Sequence, residues 1–313
     1  MSILLVKTSS LGDVIHNLPV VTDLRTHFPG AAIDWVVEEA FADIARLHPG
    51  VRRVIPVALR RWRGSLLTAA SWREMRAFRT ALQDENYDLA IDTQGLVKSA
   101  LITRLARGKR CGYAAASARE PLAARFYDAT FEVPTNLHAV LRNRRLAALA
   151  AGYSVAGTPD YGIAAPSTPT FNKPNAVLLT ATSRDDKLWP EDHWIALGRA
   201  LHGQGLTCLL PAGNASERKR AEQLAQAIPD AIAMAPLGLT DLAGQIAAAR
   251  IVIGVDTGLV HLAAALGRPT LALFRASDPA LTGVFASTPA INLGARGQPP
   301  GVADVLAAAM PLL

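Results

Sequence analysis

The chain has 313 residues, half of them hydrophobic and 19% charged, which excludes a disordered chain and suits two domains of roughly 150 residues each. Its two cysteines, Cys111 and Cys208, lie far apart with no C-x-x-C pair, excluding a disulfide framework or a zinc site and favouring a reducing compartment. Residues 1–165 hold 21 Lys and Arg against 15 Asp and Glu, the rest 11 of each, so the whole net charge of +6 sits in the N-terminal part and points to an anionic partner.

The first apolar run, Ile3–Val6, reads as a buried strand and passes straight into Lys7-Thr8-Ser9-Ser10-Leu11-Gly12-Asp13. It is too short for the apolar core of a secretory signal. A helix is predicted over 13–27. Asp13 at its start reads two ways: as an N-cap, which stabilises by about 1 kcal/mol, or as a general base toward a sugar hydroxyl. The segment carries neither G-x-G-x-x-G nor a Walker A loop, which argues against a dinucleotide-dependent oxidoreductase.

A strand at Ile33–Val37, a helix over 39–47 and a strand at Val54–Val57 follow. Next comes Arg60-Arg61-Trp62-Arg63. Three guanidiniums beside an indole suit phosphate or carboxylate recognition; the other reading is an exposed loop whose Trp covers apolar surface. A helix over 71–84 leads to a strand at Leu89–Asp92 and to Asp92-Thr93-Gln94-Gly95-Leu96-Val97-Lys98. Gly95 permits a close turn, and Lys98 adds positive charge. Arg119-Glu120-Pro121 reads on its own as an ordinary surface pair. A helix over 136–151 closes this half.

From about 153 to 175 the pattern lapses into Gly157-Thr158-Pro159 and Pro166-Ser167-Thr168-Pro169, which is linker chemistry. Domains are therefore expected at 1–160 and 170–313. The second half repeats the theme, with strands at Val177–Thr180, Leu206–Leu210, Ile251–Val255 and Thr270–Phe274 and helices over 190–204, 215–227, 240–249 and 257–266. In the loop Ala181–Pro190, Thr182, Ser183 and Lys187 can bind a diphosphate. Glu217 can accept hydrogen bonds from ribose hydroxyls, or serve simply as a favourable first-turn acid. The sharper signal is Gly254-Val255-Asp256-Thr257-Gly258-Leu259-Val260-His261. The opening N–H groups of the helix that follows have no partners within it, and with the helix dipole they form an anion site. Gly258 admits a ligand close to the backbone, and His261 lies one turn in. The bland alternative is a capping Asp256 and a partly buried His261.

No cluster of Asp, Glu or His has metal-ligand spacing, so no metal or cofactor is expected. The longest apolar stretch, Leu259–Phe274, is broken by His261, Arg268 and Pro269 and is no membrane span. Past 280 only a terminal helix at about 302–310 is predicted. Short apolar strands separated by helices imply an α/β protein with two doubly wound parallel sheets facing across a cleft. Chemistry is expected beyond the carboxyl ends of the strands.

In this order, Lys7–His16, Trp35-Val36-Val37-Glu38-Glu39, Ile55-Pro56-Val57 with Arg60–Arg63, Asp92–Ser99, Arg119-Glu120-Pro121-Leu122, Arg184-Asp185-Asp186-Lys187 with Trp189-Pro190, and Val255–Leu259 resemble the lipopolysaccharide heptosyltransferase I family. The resemblance runs from the first residue to about Pro279. It implies the GT-B architecture of two Rossmann-like domains, the N-terminal one for the acceptor and the C-terminal one for ADP-heptose, with a C-terminal helix that can return toward the N-terminal domain. It implies that Asp13 deprotonates a hydroxyl of Kdo in Kdo–lipid A and that the heptose is transferred with inversion. Thr182, Ser183, Lys187, Glu217, Asp256, Thr257, Gly258 and His261 match donor-side positions. Lys7, Ser10, Arg60, Arg61, Arg63, Lys98 and Arg119 match acceptor-side positions. An anionic inner-membrane surface becomes a further partner, with the protein peripheral on its cytoplasmic face. Arg275-Ala276-Ser277-Asp278-Pro279 departs from the Gly-Pro-Thr before Asp-Pro common in the family. Two alternatives remain: an enzyme adding the second heptose, and a non-catalytic binder of anionic ligands. Nucleic acid is not an expected partner, because no aromatic ladder accompanies the basic residues.

Overall fold

A computed structural model describes residues 1–65, 68–164, 171 and 173–313. It divides into two compact units, Met1–Ile163 and Ala164–Leu313. The predicted linker prolines, Pro166 and Pro169, lie outside the described residues.

Unit 1 is built on β1 (Ser2–Val6), β2 (Ala32–Glu38), β3 (Val51–Val57), β4 (Asn86–Asp92), β5 (Arg107–Tyr113) and β6 (Ala129–Phe131). They form one parallel sheet in the order β3-β2-β1-β4-β5-β6. Ile3, Leu4, Leu5 and Val6 are all fully buried, so β1 packs on both faces. Each such side chain contributes about 1.5–3 kcal/mol by burial.

Unit 2 is built on β7 (Asn175–Leu179), β8 (Thr207–Leu210), β9 (Ile232–Ala233), β10 (Ile251–Val255), β11 (Thr270–Leu273) and β12 (Ala290–Leu293). Its parallel sheet runs β12-β11-β10-β7-β8-β9, the same winding as unit 1 read from the other edge. In each unit the strand order reverses beside the first strand, between β1 and β4 and between β7 and β10. Open α/β sheets bind ligands at that switch point, outside the carboxyl ends. Gly254 serves this geometry. A Cβ there would lie 2.6 Å from Val260 Cγ1 and 2.7 Å from Leu179 Cβ, so only glycine lets β7, β10 and the following helix meet this closely.

Several elements differ from the sequence expectation. The helix predicted over 13–27 is two helices, Leu11–Ile15 and Leu18–His27. Pro19 lies in the first turn of the second, where its missing N–H breaks no internal bond. Asp13 is not the N-cap of the first; Ser10 is. The arginine cluster is a short helix, Leu59–Arg63, anchored by buried Trp62. Helix Val97–Leu105 and strands β5, β6, β9 and β12 had no predicted counterpart. The terminal helix, Val302–Ala309, buries Val305 and Ala309 in the core of unit 2 and packs on helix Glu191–Gly203. Among the described residues no helix is long and apolar enough to cross a membrane.

Candidate active site

The switch point of unit 1 holds a small polar cavity lined by Lys7, Asp13, Gln94, Tyr113, Arg119 and Arg142, among others. Gln94 fixes its floor. Its Oε1 accepts the Thr8 N–H at 2.6 Å and the Thr8 hydroxyl at 2.9 Å, and its Nε2 donates to Ser9 O at 2.7 Å. One side chain at the end of β4 thereby shapes the loop that follows β1. Lys7 is buried, donating from Nζ to Thr93 O at 2.9 Å and Asn143 Oδ1 at 3.3 Å. Lys98 donates to Ser9 Oγ at 3.2 Å.

Asp13 lines this cavity and is largely buried. Its Oδ2 accepts the Ser10 N–H at 3.0 Å and the Ser10 hydroxyl at 3.2 Å. Arg119 pairs with it at 2.9 Å, Nη2 to Oδ1. Burial alone pushes the carboxyl up, but Lys7, Arg119 and the Ser10 N–H outweigh it and hold Asp13 below its ordinary value. Burial acts on Lys7 the other way, pushing it down to about 8 against the opposing pull of Asp13.

These shifts set a pH dependence with a definite sign. Asp13 is ionised above a pKa lying under the usual carboxylate value, so the acid limb of a pH–rate profile falls below that value. Arg119→Ala removes one depressing charge and is expected to move that limb upward. Lys7 is cationic below about 8 and neutral above it, so the KM for an anionic acceptor should rise as pH climbs through that point. Profiles of kcat and of acceptor KM for the native chain and Arg119→Ala check both limbs; an unmoved acid limb contradicts the assignment.

Sequence reasoning did not single out Arg142 or Asn143. Both come from helix Ala139–Ala151, and nothing local marks them, because their role depends on where that helix packs. Arg142 lies over the Tyr113 ring at 5.0 Å and also donates to Ser117 O. Asn143 donates to His16 O at 3.1 Å while accepting from Lys7. The arginine cluster sits at the end of β3. Its Arg60 N–H donates to Glu38 Oε1 at 3.1 Å, and Glu38 N–H donates to Thr8 O at 3.0 Å. Arg61 is held by Glu39 and Glu74, at 2.9 and 2.7 Å. No ion pair among the described residues engages Arg60 or Arg63.

Unit 2 assembles a second cluster at its own switch point. Lys187 donates to Asp256 Oδ2 at 2.7 Å, and Thr182 Oγ1 donates to Asp256 O at 3.1 Å. The loops after β7 and β10 are thus tied together. Ser277 also donates to Asp256 Oδ2. The loop that departs from the family pattern therefore joins the cluster through a hydroxyl, while Asp278 caps the next short helix by accepting the Ala280 N–H at 2.9 Å. Helix Gly258–Ala265 starts here with Thr257 as N-cap and no side-chain cap; the Val260 N–H turns back to Thr257 O at 3.2 Å, so the N–H groups of Gly258 and Leu259 are the ones an anion can take. His261 is buried in that helix, and Ser183 is exposed on the loop. Glu217 is pre-set by its own loop, accepting the Gly213 N–H at 2.7 Å and the Asn214 amide at 2.7 Å. No group of three potential metal ligands occurs among the described residues.

The model of glycosyltransferase family 9 (heptosyltransferase) matches residues 75–303. The chain belongs to that family. It is 47% identical over 290 residues to lipopolysaccharide heptosyltransferase 1 of Escherichia coli K12, covering 91% of each chain. It resembles the solved E. coli heptosyltransferase WaaC with ADP at a TM-score of 0.91 and 44% identity, covering 99% of this chain and 98% of that one. The same enzyme with ADP-2-deoxy-2-fluoro heptose gives 0.88 and 43%, covering 99% and 97%. As a member of this heptosyltransferase family, the chain has the two-domain α/β, GT-B-like fold expected from its sequence.

Proposed function

We propose that this chain transfers L-glycero-D-manno-heptose from ADP-heptose to Kdo of Kdo–lipid A, with inversion at the anomeric carbon. The observation that carries the reading is Asp13, a carboxylate held ionised by Lys7 and Arg119 in a cationic pocket. Such a group takes a proton from a hydroxyl while its neighbours hold the anionic sugar that bears it. Lys7 and Arg119 line that pocket, and Ser10 and Lys98 bond to residues at its edge; Arg60, Arg61 and Arg63, on the short helix after β3, are assigned to more distant anionic groups of the acceptor, which Arg61 would meet by exchanging Glu39 and Glu74 for them.

Unit 2 takes the donor. Lys187 and the N–H groups opening helix Gly258–Ala265 meet the diphosphate, with Thr182, Ser183, Asp256, Thr257 and His261 shaping the pocket and Glu217 meeting the ribose. The acceptor oxygen bonds to the anomeric carbon as the bond to the β-phosphate oxygen breaks. The proton passes to Asp13, and the negative charge leaves on ADP, where Lys187 and the backbone donors stabilise it. The solved relative with ADP and with a fluoro-heptose analogue supports this choice of donor. The acceptor implies a position on the cytoplasmic face of the inner membrane.

Comparing acceptors tests the reading. ADP release from ADP-heptose is expected with Kdo–lipid A and should be at least tenfold slower with a core that already carries its first heptose. The reverse preference would assign the chain to addition of the second heptose.

A further inference from the structure

Beside the Asp13 pocket, unit 1 presents three neighbouring surface elements whose outward side chains, Lys98 apart, have no part in the proposed reaction. They are helix Ala69–Gln83, helix Val97–Leu105 and the 3-10 turn Pro121–Phe126. The middle helix packs against both of the others. Helix Ala69–Gln83 turns Ser71, Met75, Phe78 and Leu82 inward, a spacing of one helical face. The flank beside that face exposes Trp72, Arg76 and Arg79, at i, i+4 and i+7.

The exposed apolar residues are unusual in size and placement. Trp72 is 56% exposed, Leu101 47% and Leu122 50%, one on each element. Single exposed apolar residues are ordinary; large ones on three adjacent elements, set among cations, are not. The three elements carry six basic residues and one acid, Glu74. Glu74 is engaged by Arg61 and by the Trp62 indole N–H. Arg76, Arg79 and Arg104 are exposed and enter no ion pair among the described residues.

We propose that this face, with Trp72, Leu101 and Leu122 as anchors and Arg76, Arg79 and Arg104 as its charges, docks the protein on an anionic lipid bilayer. An exposed indole with two arginines along the same helix flank and a third on the neighbouring helix matches the interfacial level of a membrane, where the ring enters the headgroup layer and the guanidiniums meet phosphates. The position suits the proposed reaction, on which the inference rests for its purpose. Lys98 of the middle helix reaches Ser9, and Arg119, three residues before Leu122, holds Asp13. A lipid-borne sugar emerging from the bilayer at this face would therefore meet the Asp13 pocket at once. A nucleic-acid partner is disfavoured, since the three anchors include one aromatic and offer no stacking series.

Cosedimentation of the full chain with vesicles tests the proposal without turnover. Vesicles of phosphatidylethanolamine with phosphatidylglycerol should bind it at low salt, and phosphatidylcholine vesicles far less. Each arginine near such a surface is worth about fivefold in partition. The triple variant Arg76→Gln, Arg79→Gln, Arg104→Gln should thus bind on the order of a hundredfold more weakly, and Trp72→Ala should weaken binding independently. ADP release with a water-soluble, deacylated acceptor should stay unchanged in both variants, which shows that they fold and separates this proposal from the assigned reaction. Equal binding to phosphatidylcholine, undiminished binding by the triple variant, or preference for single-stranded RNA over the vesicles would overturn it.

Discussion

Asp13→Asn is expected to lower kcat for heptosyl transfer by about a hundredfold to ten-thousandfold, the range spanned by a general base. The asparagine side-chain oxygen still accepts the Ser10 N–H that the carboxylate now accepts at 3.0 Å, so the loop and the short helix Leu11–Ile15 keep their form. What disappears is the negative charge, and with it the proton acceptor. Binding of ADP, in the other unit, should be unaffected. A purely structural Asp13 predicts a different pattern. Losing a hydrogen bond to a helix terminus costs about 1 kcal/mol of stability and leaves kcat nearly intact, with asparagine a satisfactory substitute. Steady-state ADP release beside a thermal melt of the same variant separates the two.

Lys187→Ala carries the second large effect. Removing one preorganised donor from a developing oxyanion costs on the order of a hundredfold to a thousandfold in rate, and Lys187 is the cation at the unit 2 switch point. Its ammonium now lies 2.7 Å from Asp256, poised and partly buried rather than swinging in solvent. The variant should lose kcat/KM for ADP-heptose by that factor and bind ADP measurably more weakly in a calorimeter. Lys187→Arg should recover part of the ADP affinity by restoring charge without the point geometry of an ammonium. If the Lys187–Asp256 pair were only a surface salt bridge, Lys187→Ala would change stability by less than about 1 kcal/mol and leave ADP binding alone.

The fold was legible where burial imposes a simple pattern. β1 and β10 are apolar on both faces and bounded by polar turns, so the central strands and the two switch-point loops stood out. Strands at the sheet margins did not. β5 reads Arg107-Gly108-Lys109-Arg110 before it turns buried at Cys111, and its charged start hides its pairing with β4. β9 is two residues long and packs little. Local chemistry was also misleading at Asp13, whose place as an N-cap is taken by Ser10. The site followed the same division. Side chains carried at the strand-to-helix junctions themselves, such as Asp13, Lys187 and Asp256, could be read in order along the chain. Arg142 and Asn143 reach the Asp13 pocket only because a distant helix packs there, and Ser277 joins Asp256 across 21 positions. Such residues carry no periodicity or turn signal, and only tertiary packing reveals them.

The most direct test is ADP release from ADP-heptose by the native chain, measured with and without Kdo–lipid A. The account predicts release that depends on the acceptor and yields one heptosylated product per ADP. ADP release indifferent to the acceptor, or no release with this donor while another nucleotide sugar is turned over, would contradict it.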